Sequence, residues 1–497
     1  MKKNIKIIDT DSHKKHGTNK CPNCGASDIT YDINSKKLIC NFCKTLFEGE
    51  SLKENNNSVD KLSGEIHSSS LKDIKEGNDV ITLKCNNCQA EVVINTKETQ
   101  NVRCHWCNSI LSLNSQVENG VVPDMILPFA VFKEAAEKKI ENYITSHKLF
   151  ADKQFKKEFK SQSIKGVYFP YIIIDSNAHA LFKGEAGKVA RRYTKVVGKD
   201  SNGKDEEETF YDIDLYEIER DFDITIDDLQ MESSKDIINK NVNDRTNNII
   251  NSIMPFDTKN CIKYKSNYLI GYTSEKRDIN ISKMEEKIDE SLKDIARYAI
   301  NSDLNDYDAG VSWKEENFDI KGKQILSAYF PVWLMSYLDK DQILHYVAVN
   351  GRTGETNGSI PINKKKLLLL SLLLFASIAL FPLILYFAIY LIVNGGLDKN
   401  LFIFAPVFIP IYLFTLFIAS IGSVAFYFVN DYSYRKKNDR HKHEKETAYN
   451  LNILNRKETE IRRMHERSSS RIWDVNSYKT TGDKVIIKDD DKWIINI

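Results

Sequence analysis

The chain has 497 residues, and its 70 Lys and Arg residues against 69 Asp and Glu residues leave a formal net charge of +1. This length allows two or three domains with a buried core, and the near-neutral charge disfavours a protein that coats nucleic acid, because such proteins are usually strongly basic. Nine cysteines are too few for a secreted disulfide scaffold, and the N-terminus lacks the apolar run of a signal peptide, so we expect reduced thiols in the cytoplasm.

Two stretches of the N-terminal region repeat one cysteine spacing. Each consists of C-x2-C, fifteen further residues and a second C-x2-C, and together they contain eight of the nine cysteines. The eight are Cys21, Cys24, Cys40, Cys43, Cys85, Cys88, Cys104 and Cys107. Two such knuckles supply four thiolates to one tetrahedral zinc ion, and the alternating residues between them predict short strands. The sequence therefore predicts two zinc ions, one in each β module over 1–47 and 80–115, rather than a redox-active thiol pair.

These modules resemble the TFIIB-type zinc ribbon, here in tandem. Ribbons of this family bind either protein surfaces or nucleic acid, so the fold leaves the kind of partner open. Neither ribbon shows a stripe of basic residues with interleaved aromatic residues, which favours a protein partner. His105 lies within the last knuckle, CHWC, but four cysteines already complete the site. We therefore expect His105 beside the metal site or at the surface, not among the ligands.

Composition separates a polar segment from a folded region in the middle of the chain. Residues 48–79 hold few large apolar residues, which predicts a flexible linker. Residues 116–361 contain β-branched and aromatic runs and a helical stretch, SKMEEKIDESLKDIARYAI, which predict an α+β cytoplasmic region. The acidic stretch GKDSNGKDEEETFYDIDLYEIERDFD within it is predicted to be an exposed hairpin, and its carboxylates to be solvated rather than metal-binding.

Two short motifs recur within this α+β region. A Pro-Phe pair occurs at 128–129 and again at 255–256. A Tyr-Phe-Pro triplet occurs at 168–170 and again at 329–331, and its aromatic residues are predicted to belong to the core rather than to a ligand site. The recurrence predicts two related units, 121–230 and 250–361. The alternative is coincidence in an aromatic-rich sequence, since the spacing between the two motifs differs.

Two uncharged stretches near the C-terminus predict a transmembrane hairpin over 362–434. The stretches cover 367–393 and 401–429, and each exceeds the ~20 residues that cross the hydrocarbon core of a membrane. Three lysines precede the first stretch and several Lys and Arg residues follow the second, so the positive-inside rule places both ends in the cytoplasm. The absence of ionisable residues in the spans favours an anchor over an ion pathway.

The last segment, 435–497, is predicted to be a basic cytoplasmic tail. Its first part contains more Lys and Arg than Asp and Glu. Two interpretations remain open for it, a segment that lies on anionic lipid and an ordinary solvated charged helix. With this tail, the sequence predicts a multidomain protein of two small β zinc ribbons, an α+β soluble region and a two-helix transmembrane hairpin.

Motifs of the common enzyme classes do not occur in the sequence. It contains no phosphate-binding loop of the form G-x-x-x-x-G-K-[ST], no G-x-S-x-G elbow, no H-E-x-x-H and no G-x-G-x-x-G after a strand. Cys261, the ninth cysteine, has no nearby signature of a nucleophile. We therefore expect a protein without catalytic activity.

Several features follow one another along the chain: the tandem ribbons, VPDMILPF, GVYFPYIIID, NNIINSIMPFD, AYFPVWL, HYVAVNGRTGE and two apolar spans. In this order of features, the chain resembles a family of bacterial membrane proteins described as TFIIB-type zinc-ribbon-containing. Some relatives carry a label that links them to the primosomal replication-restart helicase, whose ATP-binding motifs this chain lacks. The resemblance implies a membrane anchor in stress systems of the phage-shock and flotillin-like type. Two functions follow as hypotheses. The first is a membrane-anchored scaffold that recruits a protein partner, and the alternative is a membrane-tethered nucleic-acid-binding protein.

Overall fold

A computed structural model describes most of the chain. The described residues are 5–8, 21–26, 29–49, 58–68, 80–95, 102–117, 123–146, 151, 155, 164–199, 205–233, 249–277, 281–338, 344–358, 363–394, 405–438, 449–469, 477–479, 485–489 and 492–494.

The elements are mostly strands. The strands are β1 (Ile5–Ile8), β2 (Ile29–Asp32), β3 (Lys37–Cys40), β4 (Leu46–Phe47), β5 (Gly64–Ser68), β6 (Val80–Lys84), β7 (Glu91–Asn95), β8 (Gln116–Val117), β9 (Met125–Ile126), β10 (Lys165–Lys199), β11 (Asp205–Glu232), β12 (Ile262–Lys263), β13 (Thr273–Glu275), β14 (Gly310–Leu338), β15 (Leu344–Asn350), β16 (Thr356–Gly358), β17 (Asn450–Ser469), β18 (Ser477–Lys479), β19 (Val485–Asp489) and β20 (Lys492–Ile494). The α-helices are α1 (Lys133–Ser146), α2 (Ile249–Ser252), α3 (Ile281–Ala299), α4 (Lys364–Asn394) and α5 (Ala405–Asn438).

Four long antiparallel strands form the centre of a fourteen-stranded mixed sheet, in the order β14–β10–β11–β17. Strand β10 alone has 35 residues, which at ~3.3 Å per residue makes it on the order of 100 Å long. In its middle, buried Ala180 and Phe182 alternate with the more exposed Leu181 and Lys183. This period of two places one face of the sheet against a core and the other toward solvent.

Helix α3 covers the apolar face of the long strands. Its buried residues recur every three or four positions, as at Met284, Ile288 and Leu292, so they form one stripe along the helix. The stripe packs against apolar strand residues that include Phe182 and Phe222. The helix lies where the sequence predicts a helical stretch, and the stripe explains how a segment so rich in Glu and Lys is held on the sheet.

The two Tyr-Phe-Pro triplets lie side by side in β10 and β14. In the antiparallel register, Phe169 is directly opposite Phe330. The Pro-Phe pairs pack next to them, since the ring of Phe129 lies 5.2 Å from that of Tyr168 and the ring of Phe256 lies 4.8 Å from that of Phe330. Each Pro-Phe pair thus contacts the triplet of its own half. The division into two related units, 121–230 and 250–361, stays a prediction.

The prediction of a flexible linker over 48–79 is wrong for residues 58–68. Strand β5 pairs with β14, with His67 opposite Ile325, and β1 pairs with its other edge. The chain passes so close to Gly322 that a Cβ atom there would lie 2.2 Å from the carbonyl carbon of Leu62. The composition of 48–79 does not reveal this strand, because five residues inserted into a sheet need few apolar side chains of their own.

The prediction of a basic tail over 435–497 is wrong for residues 450–469, which are neither a helix nor a free segment. They form β17, which pairs antiparallel with β11 along fifteen residue pairs. Charged side chains of β17 contact β10 and β11, with Glu460 Oε1 at 2.9 Å from Lys188 Nζ and Arg462 Nη2 at 2.6 Å from Asp214 Oδ1. Residues 450–462 of β17 are mostly exposed on both faces of the strand, which accounts for their many charged side chains. Strands β18, β19 and β20 form a separate antiparallel sheet.

Helices α4 and α5 are long and apolar enough to cross a membrane. The stretches that meet this criterion are Lys364–Ile389 and Ile409–Asn430, which agree in position with the two predicted spans. Only 17% and 11% of the residues in their most apolar windows are buried. A core helix of a soluble domain would bury most of its apolar side chains, so these helices present their apolar surface outward.

Candidate metal centres

The cysteines of the two frames form two four-sulfur groups. In each group the four Sγ atoms lie within 4.8 Å of one another. The closest sulfur pairs are Cys21–Cys43 at 3.4 Å, Cys24–Cys40 at 3.6 Å, Cys85–Cys107 at 3.5 Å and Cys88–Cys104 at 3.5 Å. A tetrahedral ion with bonds of ~2.3 Å to sulfur needs sulfur atoms about 3.8 Å apart, whereas a disulfide bond is only about 2.05 Å long. The spacing fits a four-coordinate metal ion, and each group could hold one.

All four cysteine pairs sit on the same tight turn. The residue after the second cysteine adopts the left-handed backbone conformation in each case, with φ of 72° at Gly25, 59° at Lys44, 65° at Gln89 and 62° at Asn108. Its backbone N–H donates to the carbonyl oxygen of the first cysteine of the pair, at 2.9 or 3.0 Å. This turn directs both sulfurs of a pair to the same side. In the first ribbon the hairpin β2–β3 lies between the two pairs and brings them together, and in the second ribbon the hairpin β6–β7 carries the Cys85–Cys88 turn at its tip.

Each group contains a thiol whose pKa lies below 7. A hydrogen bond with the hydroxyl group of Thr45 lowers the pKa of Cys43 to about 6. In the second group, the contact with Cys88 lowers the pKa of Cys104 to about 4 and raises the pKa of Cys88, because the shared proton stays on Cys88. Since the thiolate is the form that binds metal, both groups carry negative charge at neutral pH. Binding of a metal ion would displace the remaining thiol protons.

The second ribbon is built into the central sheet. Its strand β7 pairs with β13, and β13 pairs with β10. The CHWC turn adds two side chains to this junction. The buried His105 shares a hydrogen bond of 3.2 Å with Thr273 through Nδ1, and the indole N–H of Trp106 donates to Glu275 at 3.1 Å. His105 does not belong to the four-sulfur group and instead connects the ribbon to the sheet.

Trp106 occupies a cleft with two aromatic walls. Its ring lies 5.7 Å from that of Phe169 and 5.3 Å from that of Tyr346, edge to face in both cases. Next to this cleft, the Lys165 ammonium donates to the Cys104 carbonyl oxygen at 2.6 Å and to Asn108 Oδ1 at 2.8 Å. Burial lowers the pKa of Lys165 to about 8. The metal-binding turn is therefore enclosed by side chains of the central sheet.

The first ribbon is attached differently. It forms its own three-stranded sheet, β2–β3–β4, whose Ile29 and Leu38 belong to the same core cluster as Tyr268 and Leu269. Its CNFC turn is open. Phe42, the residue that corresponds to Trp106, is 80% exposed and makes no ring contact with the described part of the chain. The two ribbons share one cysteine frame but present opposite environments at their second knuckle.

Three carboxylates outside the ribbons also lie close together. Asp175, Asp227 and Asp228 offer oxygen atoms within 4.8 Å of one another. However, Asp175 Oδ1 accepts the backbone N–H of Asp228 at 2.8 Å, and Asp228 Oδ2 accepts the Thr258 hydroxyl at 2.9 Å. These bonds fix a bulge where β10 and β11 change register and Asp228 has a φ of 63°. The cluster has a structural explanation, and the residue spacing did not predict it.

The sequence identified the cysteines that the structure brings together, and Cys261 lies apart from both groups in the core. It did not reveal that one ribbon is enclosed and the other open. A signal for this difference exists in the aligned turns CNFCK and CHWCN, because a Trp with a polar indole N–H favours a partly buried place with an acceptor nearby. Lys165 and Glu275, which complete the cleft, follow only from the fold.

The fold and these groups define a protein with two four-cysteine metal-binding modules, a large mixed β-sheet and two long, exposed apolar helices. The chain is similar to the uncharacterized protein YdjG of Bacillus subtilis (strain 168), with 23% identity over 352 residues. The aligned part covers 70% of this chain and 91% of YdjG, which indicates distant homology. No protein-family model matches the chain, and no solved structure matches it either.

Proposed function

We propose that this protein is a non-enzymatic, membrane-anchored zinc-binding scaffold that recruits a protein partner at the cytoplasmic face of the membrane. The observation that carries the proposal is the open first ribbon. Its strands pack on the body of the molecule, while its CNFC turn exposes an aromatic side chain. One side of the ribbon packs on the rest of the protein and its apolar tip is exposed. This arrangement suits a module that recognises a partner protein. The resemblance to zinc-ribbon membrane proteins suggests a role in a membrane-stress system.

Zinc is the metal that we propose for both cysteine groups. Four sulfur ligands in a tetrahedral arrangement are typical of structural zinc sites, which leave no open position for catalysis. Each group supplies only sulfur, and the sulfur spacing fits a metal–sulfur bond of ~2.3 Å. The two ions would fold two small ribbons that lack enough apolar core to be stable alone.

The two apolar helices are proposed to anchor the protein with both ends of the chain in the cytoplasm. Three lysines open α4, and three cations, Arg435, Lys436 and Lys437, stand in its partner helix α5 near the C-terminal end. Antiparallel helices bring these positions to the same side of a membrane, as the positive-inside rule requires. The helices expose Leu372, Phe381 and other large apolar residues that a bilayer would cover.

Cysteine labelling in intact cells tests this orientation. A Lys399→Cys variant, in the seven residues between the two predicted spans, should react with a membrane-impermeant maleimide without permeabilisation. The matched control is Lys457→Cys, because Lys457 is 79% exposed in its side chain on β17 and is expected to be cytoplasmic. It should react only after permeabilisation. Labelling of Lys457→Cys in intact cells would contradict the proposed topology.

Crosslinking in living cells tests the scaffold function. The full-length protein, purified after crosslinking and nuclease treatment, should retain a specific protein partner. A variant with Cys40→Ser and Cys43→Ser should lose that partner, because the open ribbon would no longer hold its metal and its turn. If both proteins recovered the same partners, the first ribbon would not be the recruiting element.

The second candidate function is a membrane-tethered nucleic-acid-binding protein. It is favoured by the exposed Lys36, Lys37 and Lys44 on the same ribbon as Phe42, since cations beside an aromatic ring can hold a single strand. This function predicts that the crosslinked protein recovers nucleic acid instead of a protein partner. The logarithm of the binding constant should then fall linearly with the logarithm of the salt concentration. Near-zero net charge and the few cations of this ribbon place it second.

A further inference from the structure

The two ribbons have an aromatic residue at the same position, which is exposed in the first ribbon and inserted in a cleft in the second. In the turns CNFCK and CHWCN, Phe42 and Trp106 occupy the same place between two metal-binding cysteines. The backbones agree, because Lys44 and Asn108 have φ of 59° and 62° and donate the same turn hydrogen bond. Trp106 is inserted in a cleft of its own chain, whereas Phe42 is 80% exposed. One turn therefore shows what kind of surface the other can enter.

The cleft around Trp106 has a defined chemistry. Two aromatic rings, those of Phe169 and Tyr346, pack edge to face against the inserted ring. A carboxylate, Glu275, accepts its indole N–H. A cation, Lys165, contacts the residue after the second cysteine of the turn. The turn is thus recognised by its projecting ring and by the side chain two positions beyond that ring.

Charge distinguishes the first ribbon from the second at this last contact. Asn108 accepts from Lys165, but the corresponding residue of the first ribbon is the exposed cation Lys44. Two ammonium groups at that distance would repel each other. A second copy of this chain offers the same cleft, with Lys165 in place and Trp106 already inside it. The charge pattern therefore disfavours the chain's own cleft and favours a cleft with an acid at the position of Lys165.

We infer that the CNFC turn of the first ribbon is a docking knob for a partner protein whose cleft has aromatic walls and carries a carboxylate opposite Lys44. Phe42 enters the cleft as Trp106 enters the cleft of the central sheet, and Lys44 pairs with the partner's acid. The inference rests on the proposed scaffold function and assigns its contact residues. The ring of Phe42 has no N–H group, unlike the indole of Trp106, so the partner needs no acceptor at the position of Glu275.

A photoreactive benzophenone side chain in place of Phe42 tests the inference in the full-length protein within its own membranes. Irradiation should join position 42 to a partner peptide that contains aromatic residues and an acidic residue. The matched control carries the same photoreactive group at Ile110, which is 67% exposed on the second ribbon and should yield no partner. Phe42→Ala should lower recovery of the partner by a factor of about ten or more, as expected for an aromatic anchor at a contact centre.

A charge exchange provides the decisive step. Lys44→Glu should weaken recovery of the partner, and replacement of the partner's acidic residue by Lys should restore it with Lys44→Glu alone. Phe42→Ala and Lys44→Glu should both keep two bound metal ions and an unchanged Tm, because neither side chain packs against the described part of the molecule. If Phe42→Ala lost metal, Phe42→Leu would take its place in the test.

Several outcomes would overturn the inference. Crosslinks from position 42 to nucleic acid, to lipid or to a second copy of the chain would each replace it. An undiminished partner yield in Phe42→Ala or Lys44→Glu would also overturn it. If the protein still recruited its partner while position 42 gave no crosslink, the scaffold function would stand and another surface would carry it. If neither recruitment nor a crosslink occurred, the scaffold function itself would fail.

Discussion

Replacement of Cys104 and Cys107 by serine is expected to remove one of two metal ions and to destabilise the central sheet by ~5 kcal/mol or more. Structural zinc contributes roughly 10–16 kcal/mol of apparent binding free energy, and here the metal-bearing turn is part of the core. Without the ion, the turn that places Trp106 in its aromatic cleft is no longer fixed, and the junction through β7 and β13 loses its support.

Thermal unfolding and metal content of the purified full-length protein measure this effect. Metal content should fall from two ions to one per chain, and Tm should fall by about 10–20 °C, at ~2–4 °C per kcal/mol for a domain of this size. Tryptophan fluorescence reports the change directly, because Trp106 and Trp333 both lie in the affected region.

The first ribbon supplies the matched control. Cys40→Ser with Cys43→Ser should remove the same number of ions but shift Tm of the sheet by only a few degrees. The reason is that this ribbon forms a separate sheet and only packs on the body through residues such as Ile29 and Leu38. Equal losses of Tm in the two variants would show that the ribbons do not differ in the way that their contacts indicate.

The features that depend on residues close together in the sequence were predicted from the sequence. The cysteine spacing specifies the four-sulfur groups because two residues separate the ligands of each pair on one turn. The long apolar stretches and the α3 stripe are equally local, since each depends on residues within one helix. These features of the fold and of the candidate sites were therefore accessible without a structure.

Pairing between distant segments could not be predicted in this way. Strand β17 joins β11 across more than two hundred residues, and its alternation is concealed because charged residues occupy both exposed faces. Strand β5 is short, and its place beside β14 depends on the close approach at Gly322. The same limitation applies to the cleft of Trp106, whose walls come from β10 and β15. The Trp of the CHWCN turn favours a partly buried place, but only the tertiary fold shows which side chains enclose it.

Buried charge in the centre of the sheet is another consequence of distant pairing. Lys323 of β14 has a completely buried side chain, yet it lies within a strand with many apolar neighbours. Its ammonium group pairs with Asp289 of α3 and lies 3.5 Å from Glu65 Oε1 of β5. This triad connects α3, the helix that covers the sheet, with β5, the strand that lies within the predicted linker over 48–79.

Lys323→Met is expected to lower the stability of the sheet by ~3 kcal/mol. Methionine keeps most of the apolar stem of lysine, so the main effect is the loss of the cation and of its ion pairs with Asp289 and Glu65. Tm should fall by about 6–12 °C at ~2–4 °C per kcal/mol, while both metal ions are retained. Thermal unfolding followed by tryptophan fluorescence gives this value, and Trp313, packed against the α3 cluster, reports on the relevant region.

Lys314→Met on the same strand is the matched control for the buried pair. Lys314 pairs with Glu185, but their side chains are 63% and 40% exposed, so water screens the pair and its loss should cost less than ~1 kcal/mol. A double variant, Lys323→Met with Asp289→Asn, should regain part of the lost stability because it also removes one of the two carboxylates that paired with the cation. Equal Tm values for Lys323→Met and Lys314→Met would mean that β5, β14 and α3 do not meet around a buried cation.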